Sequence, residues 1–431
     1  MKQKKIHSLP ALLIGMVFLF LSCNNNSKNS KIDTIKYSQI EWREREISLI
    51  LSNMSLQEKA SQVLMTGIDG KKTFLQHSYT HFADSVPGAI LLFRYNLADS
   101  PLEVKKYLQS CTTAFSQLGS SIPVFFAIDN EGGSVFRTSG LTSILPSSKK
   151  VAEFFSPLES HNLYRIQGQQ LKALGITMNL APVSEIQNAD NTLFLGTRTF
   201  GKETETVVMY SKSSILGYRE SKIISVVKHF PGNSSKDPHL QLPVLNISKE
   251  KFETEFIPSF KLLFSSVAVD AVLVSHIVVP AIDSELPFCL SSLCVTDYLR
   301  NKLGFSGLIL TDDISMPALT NSGYSSSQAA IMALNAGCDM IMTSATDIHE
   351  IINAIKLEAE TSTEFSKRLN SAVFSILTAK YKAGIITTSL QRYSKSRYIQ
   401  RENISQFNSE EYKDLYDAGQ LLVEEMYGRN R

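Results

Sequence analysis

The chain holds little that would commit it to a polyanion, a metal cluster or a bilayer. Its 43 Lys and Arg against 41 Asp and Glu leave a formal charge of +2 over 431 residues, so there is neither a basic field for nucleic acid nor an acidic tail. The five cysteines, at 23, 111, 289, 294 and 338, match neither zinc-ligand spacing nor a dense disulfide framework. A Cys289–Cys294 bridge fits an exported protein, whereas buried free thiols are expected for most of them. No glycine-rich dinucleotide loop is present, and no strand-rich region follows residue 385, so a second large domain is not expected. The longest apolar stretch, Leu9 to Leu21, is too short to span a bilayer comfortably.

That stretch follows Lys2, Lys4 and Lys5 and ends in Leu21-Ser22-Cys23, the layout of a targeting signal. The ending resembles a bacterial lipoprotein lipobox, which implies cleavage before Cys23 and its acylation. A plain secretory signal or an uncleaved anchor is the alternative. Asn24-Asn25-Asn26-Ser27-Lys28-Asn29-Ser30-Lys31 lacks the apolar content to fold and reads as a tether. The expected organisation is a signal peptide over 1–22, a lipidated cysteine and tether over 23–40, a folded domain over 41–385 and a helical extension over 386–431. The protein is thus expected to be exported and held at a membrane through its N-terminal lipid.

Within the folded part, Ser55-Leu56-Gln57-Glu58 supplies a capping box. Apolar runs then predict eight strands, at Gln62–Thr66, Gly88–Phe93, Pro123–Ile128, Thr177–Ala181, Ile224–His229, Ala271–His276, Gly307–Thr311 and Asp339–Thr343. Amphipathic stretches separate them, including Leu158–Leu174, Thr204–Glu220, Lys251–Ser266 and Ser326–Ala336, and Glu410–Met426 predicts a terminal helix packed outside. Strand alternating with helix eight times predicts an α/β fold, a closed TIM-type (β/α)8 barrel in a single catalytic domain. A doubly wound open sheet is the competitor. Polar residues gather where the runs end: Asp129 and Glu131, Glu185, Lys228 and His229, Ser275 and His276, Asp312 and Asp313, Thr343 and Ser344. In a barrel these share one rim, where active sites form. A composition of 43% hydrophobic and 19% charged residues suits a small-molecule or glycan partner, and nothing calls for a cofactor or for more than a monomer.

Ala127-Ile128-Asp129-Asn130-Glu131-Gly132-Gly133, Ala181-Pro182-Val183, Arg198-Thr199-Phe200-Gly201, Lys228-His229-Phe230-Pro231-Gly232 and Thr311-Asp312-Asp313-Ile314-Ser315-Met316, in this order and spacing, resemble glycoside hydrolase family 3 over residues 45–385. The likeness is to its single-domain β-N-acetylglucosaminidases. The resemblance implies that Asp312 is the nucleophile and that His239, paired with Asp237, is the acid/base. It also implies that Asp129, Arg137, Arg198, Lys228 and His229 bind the sugar, a carbohydrate being suited to charge-assisted hydrogen bonds. Any one of these five fits a structural ion pair; clustered at strand ends, they are expected to be ligand contacts. The role of a carboxylate capping the next helix suits Asp313 better than Asp312. The sequence departs from the family where Asn233-Ser234-Ser235-Lys236 leads straight to Asp237-Pro238-His239, a shorter run in which Pro238 fixes its own φ and pushes Asp237 toward an extended conformation. Glu185 stands where the family has Asp, and Ser134 where it often has Arg.

The reaction so implied is retaining hydrolysis: Asp312 attacks the anomeric carbon while His239 protonates the leaving oxygen, and water activated by His239 releases the sugar. A neutral base repels an anionic acceptor less than a carboxylate does, so phosphate stays open as an acceptor. Three other readings stand beside this one. His229, His239, His276 and Asp312 could converge on a metal, although no Cys-x-x-Cys spacing accompanies them and no metal is expected. A non-catalytic glycan-binding lipoprotein is the second, and β-glucosidase or β-xylosidase activity the third.

Overall fold

The computed structural model describes residues 43–345, 348–386 and 407–429. The lipobox Cys23, the signal segment and the tether lie outside the described residues. Residues 43–46, which are helical, group with the N-terminal segment as one unit, and residues from Ile47 onward form the other.

Among the described residues the second unit has ten strands, with helices around them of which nine are labelled here. The strands are β1 (Leu64–Thr66), β2 (Ala89–Leu92), β3 (Phe125–Ile128), β4 (Asn130–Gly132), β5 (Val135–Phe136), β6 (Met178–Asn179), β7 (Ile224–Phe230), β8 (Ala271–Val274), β9 (Leu308–Thr311) and β10 (Ile341–Thr343). The helices are α1 (Leu56–Gln62), α2 (Pro101–Gln117), α3 (Pro157–Leu174), α4 (Thr204–Glu220), α5 (Pro258–Ser266), α6 (Ser326–Ala336), α7 (Ile348–Thr361), α8 (Thr363–Lys382) and α9 (Ser409–Gly428). Eight strands form one parallel sheet in the order β10-β1-β2-β3-β6-β7-β8-β9. The parallel bridge between Leu310 and Met340 brings its two edges together, so the sheet is a (β/α)8 barrel. The strands are buried on both faces, β7 at all seven positions, which is why they read as unbroken apolar runs rather than alternating ones. Each fully buried Val, Leu, Ile or Phe contributes about 1.5–3 kcal/mol relative to an exposed one.

Local chemistry sets where elements begin and end. Ser55 accepts from the Glu58 N–H and Glu58 answers the Ser55 N–H, the predicted box. Ser156, Pro157 and Glu159 start α3 in the same way, and Gly175 ends it at φ 97°, a left-handed turn that a side chain would strain. The fourth expected strand is shorter than its apolar run because Pro182 has no N–H for the ladder; Asn179 instead exchanges side-chain bonds with the Asn130 backbone at 3.0 Å on each side. β10 starts late because the Asp339 carboxylate takes the Ile309 N–H at 3.0 Å while paired with Arg300 and Arg368. The single helix expected over Lys251–Ser266 is divided: Phe252–Phe256 form a wide π-turn before Pro258 opens α5, since proline cannot donate into the preceding turn.

At the N-terminal end of the barrel the fully buried Lys380 donates to Gln62 and, at 2.6 Å, to the Pro123 carbonyl, and burial pushes its ammonium well below the usual lysine range. The expected terminal helix forms as α9 and packs on α3 and the preceding loop. There the Tyr412 hydroxyl donates to the Leu141 carbonyl at 2.8 Å and the Ile144 N–H to Gln420 at 3.0 Å. A Cβ at Gly419 would stand 2.1 Å from Ser143 Oγ, so only glycine lets the helix come this close. The four described cysteines are free and buried. No Cys289–Cys294 bridge forms because Cys289 faces a histidine while Cys294 is taken up in the helix that starts at Leu293.

Candidate active site

Asp129, directly after β3, and Glu131, in the short β4 that follows, stand at the rim at the C-terminal ends of the strands, and β7 delivers Lys228 and His229. The Lys228 ammonium, with its side chain 3% exposed, stands 2.6 Å from Asp129 and 2.7 Å from Glu131. Arg198 grips Glu131 through two bonds of 2.7 and 2.8 Å, the fork geometry that makes such pairs strong. Burial alone would lift the Glu131 carboxyl, but Lys228, Arg198 and His229 hold it far below the carboxylate range. Burial would likewise lower Lys228, and Asp129 and Glu131 raise it instead. Three of the five expected sugar-binding side chains are therefore ion-paired within one cluster whose hub is Glu131, a residue for which the local motif offers no role. Ion pairing and a shared rim position coexist here, where the sequence sets them as alternatives. Arg137, at the end of the β4–β5 hairpin, has no hydrogen-bond or ion-pair partner among the described residues.

His229 is oriented by a second carboxylate. Its Nδ1 is 2.7 Å from Glu185, and its Nε2 is 3.4 Å from Arg198 Nη2. A guanidinium only donates, so Nε2 carries the lone pair and Nδ1 the proton. Glu185 also accepts from the Asn233 backbone at 2.7 Å and its side chain at 2.8 Å. One buried carboxylate thus fixes both the histidine that ends β7 and the root of the loop that leaves it. That loop carries Asp237-Pro238-His239. His239 Nδ1 lies 2.7 Å from Asp237 Oδ1, its side chain 69% exposed. Against the effect of burial, the hydrogen bonds and charge of His239 lower the Asp237 carboxyl. The loop is tied at 3.2 Å from the Ala318 N–H to the Pro238 carbonyl and at its far end by Leu245 and Val278.

Asp312 follows β9 directly, its N–H bonded to the Val274 carbonyl at 3.0 Å. The Asp313 N–H donates to Asp312 Oδ1 at 2.9 Å, while the Asp313 carboxylate accepts from Ser315 and Ser344 at 2.8 and 3.0 Å. Asp313 satisfies the turn but does not cap the next helix, Pro317–Thr320, whose N-cap is Met316 with no side-chain bond, and the half-buried Asp312 keeps Oδ2 uncommitted. Burial would raise the Asp312 carboxyl, but the electrostatic influence of the neighbouring His276, His229 and Lys228, with the bond from the Asp313 N–H, holds it below the usual range.

His276 completes the wall. Its Nε2 is 2.9 Å from the Asp313 carbonyl, which only accepts, so Nδ1 takes a bond from the Cys289 thiol 3.2 Å away. Burial and the neighbouring Cys338 push that thiol up and keep it protonated. Glu131 and Glu185 are visible in the sequence as strand-end acids; no signal points to Cys289. Among the described residues no group of three or more His, Cys, Asp or Glu is disposed to hold a metal.

Residues 55–379 match the Glycosyl hydrolase family 3 N terminal domain. The chain is 30% identical over 284 residues to a beta-hexosaminidase of Hydrogenovibrio crunogenus, covering 64% of this chain and 77% of that protein. A glycoside hydrolase family 3 β-N-acetylglucosaminidase from a Paenibacillus species superposes with a TM-score of 0.74 at 25% identity, over 86% of this chain and 68% of that one. A fungal multi-domain β-N-acetylglucosaminidase of the family gives a TM-score of 0.77 at 24% identity over 86% of this chain, and this chain spans only 43% of its length. With three-quarters of its residues matched to the family domain and a barrel rim arranged as described, the chain belongs to glycosyl hydrolase family 3.

Proposed function

We propose that this protein is a retaining, exo-acting glycosidase that releases terminal β-linked N-acetylglucosamine from peptidoglycan fragments or related oligosaccharides. The observation that supports the reading is a backbone bond that ties together the connections bearing its two reacting groups. Asp312 follows β9, and the loop that bears His239 is bonded at Pro238 to Ala318, six residues further along the same connection. Asp312, ionised and with one oxygen uncommitted, attacks the anomeric carbon. The glycosidic bond breaks as His239 gives its proton to the leaving oxygen. His239, now neutral with Asp237 behind it, takes a proton from water, which attacks the same carbon and frees Asp312. Arg137, Asp129, Arg198, Lys228 and His229 hold the sugar hydroxyls meanwhile. Export and anchoring through an acylated Cys23 would place this chemistry at a membrane surface.

The test sets 4-nitrophenyl β-N-acetylglucosaminide beside the β-glucoside and β-xyloside, with and without EDTA and phosphate, for the native enzyme and Asp312→Asn. Preferred turnover of the N-acetyl substrate, unmoved by chelator and lost on the order of 10⁴-fold or more in the variant, is expected. Binding without turnover in the native protein would instead make it a glycan-binding protein. A rate set by phosphate would make it a phosphorylase.

A further inference from the structure

The barrel mouth has a second depression, away from the charged cluster. A cavity of about 330 Å³ opens over the ends of β10, β1 and β2, with Asp69, His77, Phe93, Tyr95, Asp313 and Ser344 among its walls. None of Asp129, Glu131, Arg198, Lys228 or His229 reaches it. It is of ligand size and on the functional face of the barrel, and it adjoins the nucleophile through Asp313, whose carboxylate is bonded to Ser344.

One wall is aromatic and open. Tyr95 is 60% exposed, and Phe93 stacks behind it with ring centroids 5.6 Å apart and planes within 6°. The turn that presents Tyr95 is fixed by Asn96, which accepts from the Phe93 N–H at 2.8 Å and donates to the carbonyls of Ile68 and Gly70 at 2.6 and 3.0 Å. A rigid aromatic face binds flat apolar faces, of which the C–H face of a pyranose is one. The opposite chemistry stands nearby: Asp69 and His77, 3.0 Å apart and both exposed, offer a carboxylate acceptor and an imidazole donor to hydroxyl groups.

We propose that this cavity is the subsite for the saccharide unit on the leaving-group side of the scissile bond, with Tyr95 as its platform and Asp69 and His77 as its hydroxyl contacts. The inference rests on the reading above. The terminal sugar is held on the arc of β3, β6 and β7, and the bond to be cut lies at Asp312 after β9. The next unit then falls on the arc of β10, β1 and β2. The enzyme would favour a disaccharide over a simple alkyl glycoside because only the disaccharide covers Tyr95.

The experiment compares methyl β-N-acetylglucosaminide with N,N′-diacetylchitobiose for the native enzyme, Tyr95→Ala and Tyr95→Phe. Tyr95→Ala should raise the KM of the disaccharide relative to the methyl glycoside about fivefold to tenfold, the range of one aromatic contact, and Tyr95→Phe should restore it. An equal shift for both substrates, or no shift, overturns the proposal. Calorimetric titration of both sugars into Asp312→Asn, with and without Tyr95→Ala, separates the two readings. If the native enzyme cleaves neither sugar, the glycosidase reading fails. A selective loss of disaccharide binding in that case would still uphold the cavity as a saccharide subsite, and equal losses would remove it.

Discussion

The wall formed by β3 and β7 and the loop that leaves β7 are adjoining parts of one site built on opposite terms. In the wall, Lys228 and Glu131 are 3% and 1% exposed, and the charges of Asp129, Glu131, Arg198 and Lys228 are paired within hydrogen-bond distance. On the loop, His239 is held, among the described residues, only by Asp237, and its side chain is 69% exposed. The contrast separates two tasks. Recognising a sugar needs donors and acceptors fixed before it arrives, which a buried network supplies at no further ordering cost. On the proposed mechanism, moving a proton to one oxygen and then from a water needs a group that meets solvent and can both give and take a proton. Glu185 is where the two meet, bonding His229 of the wall and Asn233 at the root of the loop.

The sharpest way to divide the two parts is His239→Asn. It should lower kcat about 10²–10⁴-fold, the contribution of general acid–base catalysis, and leave the affinity for an inert N-acetylglucosamine analogue intact in a titration. The same variant should keep the acidic limb of the pH–rate profile. A depressed carboxyl stays ionised until the pH falls through its lowered value, so Asp312 sets an acidic limb beneath the ordinary carboxylate range. Loss of affinity in step with kcat would place His239 in the wall after all.

Glu185→Gln attacks the junction. It keeps the shape but removes the charge from hydrogen bonds that contribute about 1.5–3 kcal/mol each, so kcat/KM should drop roughly tenfold to a hundredfold with both KM and kcat affected. An effect confined to KM would mean that the junction serves the wall alone.

The mildest test concerns the far side of Asp312. Cys289→Ala takes the donor from His276 and should lower kcat about twofold to tenfold, the value of one neutral hydrogen bond, while Cys289→Ser keeps the donor and the rate. Equal losses in both variants would show a packing role only.

The fold is largely legible in the sequence because parallel barrel strands are buried on both faces and leave uninterrupted apolar runs, and all eight appear where the runs lie. Their limits are less so. Asp339 and Asn179 replace ladder bonds with side-chain bonds, and Pro258 breaks a run whose periodicity reads as a single helix; each effect depends on a partner distant in sequence or on the turn before it. In the site, Asp312, Asp237 and His239 can be named from local motifs. Glu131 and Glu185 cannot be given roles that way, because their partners Arg198 and His229 lie 67 and 44 residues away and meet them only when the barrel closes. The pair His77 and His81, spaced as on one helical face, carries no motif either; the structure puts both beside the Tyr95 cavity.

Helix α9 changes what the end of the chain means. Tyr412 and Gln420 brace the segment of residues 141–144 from outside. That segment is joined by Thr142 and Thr138 to Asn130, beside the hairpin that bears Arg137. A shortened chain could therefore keep its eight strands and still let the Arg137 side chain drift, so α9 works as a brace for that hairpin rather than as an appendage.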